Sequence, residues 1–217
     1  MNDIFVVYIR HGDTSVYIDN VIIGAKSDPT GKLDNLKFHE QSVQDILEVF
    51  REHKLYLKLE KCEFLKTQVE YLGFVITGDH VMMDPIKVDE VKSWPVPTNL
   101  KQLCSFISFI NFYWRFIKEF SHIAQPLHEL TKINIKWTWN KEHQDTFDKL
   151  KDLICDAPVL TYPDPEKPYM VETNASNYAV GVVLSQKQDN GKWHPIAYLS
   201  KSMDEHQQNY DIHDKEL

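Results

Sequence analysis

The stretch SFISFINFYWRFIKEF, residues 105–120, constrains this chain more than any other. With the residues just before it, Leu100, Leu103, Ile107, Ile110, Trp114 and Ile117 recur at helical intervals and form one apolar stripe. Phe106, Phe109, Phe112, Tyr113 and Phe116 add a high density of rings. A helix this apolar has to be covered by other elements, as in a bundle. A second reading stays open beside that one. Some of the rings and Arg115 could face a nucleic-acid strand, since aromatic faces stack on bases and basic groups meet phosphate.

The sequence on either side has a different period. TSVYIDNVIIGAKS, from Thr14 to Ser27, sets the β-formers Val16, Ile18 and Val21–Ile23 about the polar pair Asp19-Asn20, a hairpin signal. Val43, Ile46, Leu47 and Phe50 predict one amphipathic helix between Leu33 and His53. LYLKL, 55–59, alternates as a half-buried strand. VEYLGFVIT, 69–77, reads as one further strand with a bulge or a close backbone approach at Gly73, and Val81–Met83 as a short one. Asp84 and Pro85 start a helix as N-cap and first-turn proline. WPVPTN, 94–99, ends it, and Thr98 stands ready to cap the aromatic helix. A short or kinked helix is expected around Ile123–Leu130, because it contains Pro126. Asn140 caps a last one through Phe147, Leu150 and Ile154. From Pro158 the pattern returns to β, in YMVETN, YAVGVVLSQ and WHPIAYLS, with turns at Ala175–Asn177 and 189–191. MDEHQQNYDIHDKEL then opens another helix. The expected class is α+β.

Composition narrows the function classes. The chain has 217 residues, 42% of them hydrophobic, enough for one or two domains with modest cores. No apolar run reaches the roughly 20 residues that span a bilayer, and the opening MNDIF carries an acid where a secretory leader would be basic. The terminal HDKEL is not a retention signal. Three scattered cysteines, Cys62, Cys104 and Cys155, predict reduced core thiols and an intracellular location, cytoplasm or nucleus. Of the ten histidines, His39, His53, His122, His128, His143, His206 and His213 lack metal-site spacing, and solvated faces are expected for them. A net charge of −8 is awkward for a nucleic-acid binder. The acids concentrate at the two ends, however: residues 51–156 carry 15 basic and 15 acidic side chains.

Taken in order, YIDN, HKLYLKLEKCEF, VEYLGFVIT, SFISFINFYWRFIKEFSHIAQPL, KWTWN, LICDAPVL, VETNASNYAVGVVLSQ, WHPIAYLS and NYDIHDKEL form a collinear series. The series closely resembles the polymerase region of gypsy-type LTR retrotransposons, from about Tyr17 to Leu217. The resemblance implies the C-terminal part of a reverse transcriptase palm over 1–83, antiparallel sheet plus helix, and helical thumb and connection over 84–138. It implies a connection helix and the first three strands of an RNase H-like sheet over 139–217.

The resemblance also implies site residues. Such polymerases use paired carboxylates on two Mg²⁺ ions to activate a primer hydroxyl and neutralise the transferred phosphate. Tyr17, Ile18 and Asp19 match the palm hairpin, and Asn20 stands where the family has a second acid. Leu72 and Gly73 match the primer-grip turn, and Ser108 replaces a usual glycine in the thumb helix. Asn174 stands where the RNase H strand carries its bridging aspartate, and Glu216 matches the second acid of that site. Arg115 is the candidate phosphate contact. An amide offers one neutral acceptor oxygen where a carboxylate offers two charged ones, so the expected catalytic and metal residues reduce to Asp19 and Glu216. Asp13 is the one nearby acid that could mimic a lost ligand, and a loop carboxylate is its simpler reading. The family's remaining palm aspartate and its fingers precede the matched region. The implied partners are an RNA–DNA hybrid or primer–template. Three functional readings follow: a catalytically silent polymerase fragment, a piece active only with missing parts, or a co-opted binding module.

Overall fold

The first hairpin forms because Thr14, Val16, Val21 and Ile23 put their side chains toward a helix, while the two-residue tip stays in solvent and is Ile18-Asp19 rather than the expected Asp19-Asn20 pair. In the computed structural model, which describes residues 4–5, 8–9, 14–24, 34–204 and 206–210, strands β1 (Thr14–Tyr17) and β2 (Asn20–Ile23) pair antiparallel, with Tyr17 opposite Asn20. Helix α1 (Asn35–Glu52) begins where the Asp34 side chain accepts from the Lys37 N–H. Its Ile46 and Phe50 are buried, and Phe5, Val16, Val21, Ile23 and Leu55 pack about them. Together these elements belong to one compact unit, Met1–Thr67; Gln68–Leu217 is the second.

The second unit holds the larger core. Strands β3 (Gln68–Tyr71), β4 (Phe74–Thr77) and β5 (His80–Met83) form an antiparallel meander, and β6 (Leu160–Thr161) closes its edge. Helices α2 (Pro85–Lys92), α3 (Leu100–Phe112), α4 (Phe120–Glu129) and α5 (Lys141–Cys155) follow β5 in order. Phe106, Phe147, Leu103, Ile110, Leu127, Leu150 and Ile154 are all within 1% of complete burial. Phe106 and Phe147 meet at 4.5 Å between centroids, and Trp94 lies across Phe106 at 5.8 Å. Leu103, Ile107 and Ile110, named from spacing, therefore sit in a helical core, as the bundle reading requires, whereas Leu100 in the first turn of α3 stays 44% exposed. The final sheet has the order β7 (Tyr169–Ala175), β8 (Ala179–Lys187), β9 (Trp193–Ser202), all antiparallel. Pro195 falls on the edge strand β9, beside a register shift at Leu184/Ser185, the place where a strand tolerates a residue with no N–H. Gln186 is fully buried and satisfied: its amide donates to the carbonyls of Asp164 and Lys167 and accepts from the Asp164 N–H. It thereby ties the loop before β7 to β8.

Several expectations need correction. VEYLGFVIT is two strands, because Leu72 (φ 53°) and Gly73 (φ 77°) are both left-handed and form a two-residue hairpin loop of the I′ sign pattern. LYLKL forms no strand. Tyr56 and Leu59 are exposed, no strand among the described residues pairs with the segment, and a 3₁₀ turn starts at Leu59. Asn99, not Thr98, caps α3 by accepting from the Gln102 N–H, while Thr98 bonds the Gln102 side chain. The aromatic helix ends at Phe112, and Trp114–Phe116 continue as a 3₁₀ turn that still delivers Phe116 and Ile117 to the core. The cysteines are free, but Cys104 and Cys155 are exposed and do not fill the core. His143 is buried rather than solvated, since its ring accepts from the Asn140 N–H in a reciprocal cap. No helix among the described residues is long and apolar enough to cross a membrane.

Because Phe147 is completely buried between α3 and α5, Phe147→Ala should lower the unfolding free energy by about 3–5 kcal/mol. Urea denaturation of the full chain measures it.

Candidate functional site

At the tip of the β1–β2 hairpin the loop residues are Ile18 and Asp19. Ile18 has φ 55° and is 71% exposed. A β-branched residue in the left-handed region is a conformational outlier, costing about 1–3 kcal/mol and typical of functional turns. Asp19 projects from this tip into solvent beside the exposed Tyr17. The Asn20 side-chain amide donates to its Oδ1 at 3.3 Å. Tyr17, Asp19 and Asn20 are thus brought together. Asp13 and Glu216 lie outside the described residues.

A second candidate lies in the larger unit, at Leu72 and Gly73. The Tyr113 hydroxyl donates to the Gly73 carbonyl at 3.3 Å, and the Asp84 N–H donates to the same oxygen at 3.1 Å. A Cβ on Gly73 would stand 2.7 Å from the Tyr113 oxygen, so glycine is required by space as well as by φ. Phe74 stacks on Phe112 and Phe116 at 5.2 and 5.7 Å, and meets Tyr113 edge-on at 5.5 Å. Burial pushes the Tyr113 phenol up to about 12, helped by the Asp84 and Glu90 carboxylates. Phe112 keeps 53% of its surface exposed. Arg115 is exposed on the 3₁₀ turn with its guanidinium 5.5 Å from the Trp114 ring centre. Leu72, Gly73, Phe112 and Arg115 therefore belong to connected elements of one core.

Position 174 has a partner that spacing did not reveal. The Asn174 amide donates to Glu119 Oε1 at 2.7 Å. Glu119 is the N-cap residue of α4, at φ 56°, and its side chain makes no bond to its own helix. Nothing local in the sequence marks a residue 55 positions away as the partner.

Two family models match the chain. Residues 1–76 match the reverse transcriptase (RNA-dependent DNA polymerase) family, and residues 139–217 match the RNase H-like domain found in reverse transcriptase. The class is a reverse transcriptase with an RNase H-like domain. Within it, the chain belongs with the Pol polyproteins of LTR retrotransposons. It is 38% identical over 203 residues to a retrovirus-related Pol polyprotein from transposon 297 of Drosophila melanogaster, covering 93% of this chain and 18% of that protein. It is 32% identical over 209 residues to the transposon Tf2-7 polyprotein of Schizosaccharomyces pombe, covering 96% and 15%. The chain thus spans less than a fifth of each of these two relatives. A solved foamy viral protease–reverse transcriptase in complex with an RNA/DNA hybrid superposes with TM-score 0.77 at 24% identity, over 99% of this chain and 28% of that one. The fold is shared.

The family's chemistry uses divalent cations held by clustered carboxylates. The hairpin offers one carboxylate whose oxygen already accepts from a neutral amide. At position 174 an amide donates to a carboxylate instead of joining it as a ligand. Among the described residues no three His, Cys, Asp or Glu side chains converge on a point. Among the described residues these two donor sets supply fewer formal negative charges than a pair of dications needs against their mutual repulsion.

Gly73→Ala should destabilise the chain by more than Gly191→Ala does. Gly191 also has positive φ but faces open space, so only the backbone cost of about 1–2 kcal/mol applies there. Denaturant midpoints of the two variants compare them. The raised Tyr113 value makes stability fall as pH climbs from 10 toward 12, because the unfolded phenol ionises first. Its contribution is fully present below pH 10. Tyr113→Phe should flatten that part of the pH–stability curve, measured by denaturation at pH 9 and 11.

Proposed function

We propose that this chain is a stretch of a retrotransposon RNA-directed DNA polymerase and RNase H that engages nucleic acid without itself catalysing phosphoryl transfer. The observation carrying the second half is the repeated acid-to-amide change at Asn20 and Asn174, each amide hydrogen-bonded to a carboxylate. An amide adds no charge beside the carboxylate it bonds, so each pair presents one negative charge where two acids would present two. Asp19 is the residue at which any residual Mg²⁺ affinity would reside, with Glu216 its counterpart in the RNase H-like part.

The nucleic-acid half rests on kinship and on surface chemistry. The similar solved reverse transcriptases are complexes with double-stranded DNA and with an RNA/DNA hybrid. In this chain the exposed Phe112 ring is followed within six residues by the exposed side chains of Arg115 and Lys118, with the Arg115 guanidinium over the Trp114 ring. Rings and cations in that proximity suit stacking and phosphate contact. The partner is a primer–template or an RNA–DNA hybrid. Gly73 serves as the position where backbone approaches the primer end, with the Tyr113 bond fixing its loop.

Fluorescence anisotropy with an RNA–DNA hybrid tests the binding. Affinity should fall steeply between about 50 and 200 mM salt, and the double substitution Arg115→Ala, Lys118→Ala should abolish it. Primer extension with Mg²⁺ or Mn²⁺ should give no product. No affinity at low salt would remove the nucleic-acid reading, and extended primer would remove the non-catalytic one.

A further inference from the structure

Asn174, Gly181 and Ser200 are aligned partners across β7, β8 and β9 and form one row of the sheet. The start of α4 lies over this row. Two side-chain exchanges join them in opposite directions. The helix sends its N-cap carboxylate, Glu119, out to the Asn174 amide at 2.7 Å. The strand returns the Ser200 hydroxyl, which accepts from the Ser121 N–H at 3.0 Å. That N–H is one of the first-turn donors a helix cannot satisfy internally. Glu119, whose side chain would ordinarily be the one to cap it, is turned away in the left-handed region. Gly181, in the middle of the row, makes the crossing possible: a Cβ there would come within 3.2 Å of Glu119 Cγ. The row, with His122 and Ser176, encloses a polar cleft of about 100 Å³.

We propose that Asn174 and Glu119 form a cation-free clasp that fastens α4 to the three-stranded sheet, and that the fold is matched to an amide at position 174. The chemistry is specific. An amide N–H donates to the Glu119 carboxylate and leaves one negative charge in the cleft. An aspartate at the same place would oppose two carboxylates at hydrogen-bond distance, so the pair would part into solvent unless a proton or a cation stood between them, and the link would be lost. The amide does the linking that a cation would do in a two-carboxylate arrangement. Restoring an acid at 174 alone therefore weakens the clasp rather than rebuilding a metal site. This inference rests on the geometry of one sheet row and does not depend on nucleic-acid binding.

The experiment is a set of thermal melts of the full chain at neutral pH in EDTA and in Mn²⁺. Asn174→Asp should lower the melting temperature in EDTA by about 3 °C, the shift expected for roughly 1 kcal/mol in a domain of this size. Adding Glu119→Gln to Asn174→Asp exchanges the two roles and should recover most of that loss, because an amide again donates to a carboxylate. The parent chain should melt at the same temperature in EDTA and in Mn²⁺. An Asn174→Asp chain as stable as the parent in EDTA would overturn the proposal. So would a swapped pair no more stable than Asn174→Asp alone. A Mn²⁺ stabilisation of the parent chain that Asn174→Ala abolishes would overturn it as well, by showing a cation at this position.

Discussion

The larger unit depends on one carbonyl oxygen. Gly73 accepts there from the Tyr113 hydroxyl and from the Asp84 N–H, so the β3–β4 loop, the start of α2 and the end of α3 are tied at a single atom. The bond to Asp84 sets where the meander gives way to helix, since the Asp84 side chain simultaneously caps α2 through the Ile86 N–H. The bond to Tyr113 brings Phe74 under Phe112 and Phe116, and the remaining rings of α3 then face Trp94 and Phe147. A buried carbonyl without donors would cost about 1–3 kcal/mol. The aromatic packing holds the donors in place, and the donors hold the loop that carries Phe74. Each half of the arrangement is the condition for the other.

Helices were legible where the sequence carries both a period and a cap. Asp84-Pro85 and Asn140 announce their helices by local chemistry, and the structure uses both side chains as caps. Strands were less legible. VEYLGFVIT has no Asn-Gly or Gly-Gly pair, so its loop reads as continuous strand; a leucine at φ 53° is affordable only because Tyr113 and the Asp84 N–H pin the next residue. LYLKL alternates correctly but finds no partner strand, and alternation alone cannot make a strand. β6 is two residues long and exists only because β5 offers an edge. In each case the missing information is tertiary.

The candidate site divides the same way. Tyr17, Asp19 and Asn20 were legible as a motif and meet in one turn because neighbours in a hairpin loop cannot do otherwise. Position 174 was legible only through the resemblance, as an amide where an acid is expected; its partner was not. Glu119 reads as one more charge at the end of an apolar helix until the strand register places Gly181 and Ser200 beside Asn174. A glycine in the middle of YAVGVVLSQ gives no sequence signal of the carboxylate that passes over it, yet its missing Cβ is what admits Glu119.

Charge links the two amides to the proposed nucleic-acid partner. Carboxylate clusters are useful near phosphate only when cations neutralise them; without the cations they repel one another and the phosphate backbone alike. Replacing one acid of a pair by an amide removes that repulsion while keeping a polar group of nearly the same shape. In a chain of net charge −8, each acid removed near the phosphate backbone lessens a repulsion that the whole molecule already carries. On the proposed function, loss of metal-dependent chemistry and retention of nucleic-acid binding are therefore compatible consequences of an amide at such a position. Asn20 achieves this by bonding the acid beside it. Asn174 does so by engaging a carboxylate from another element, and so becomes part of what holds the sheet to its helix.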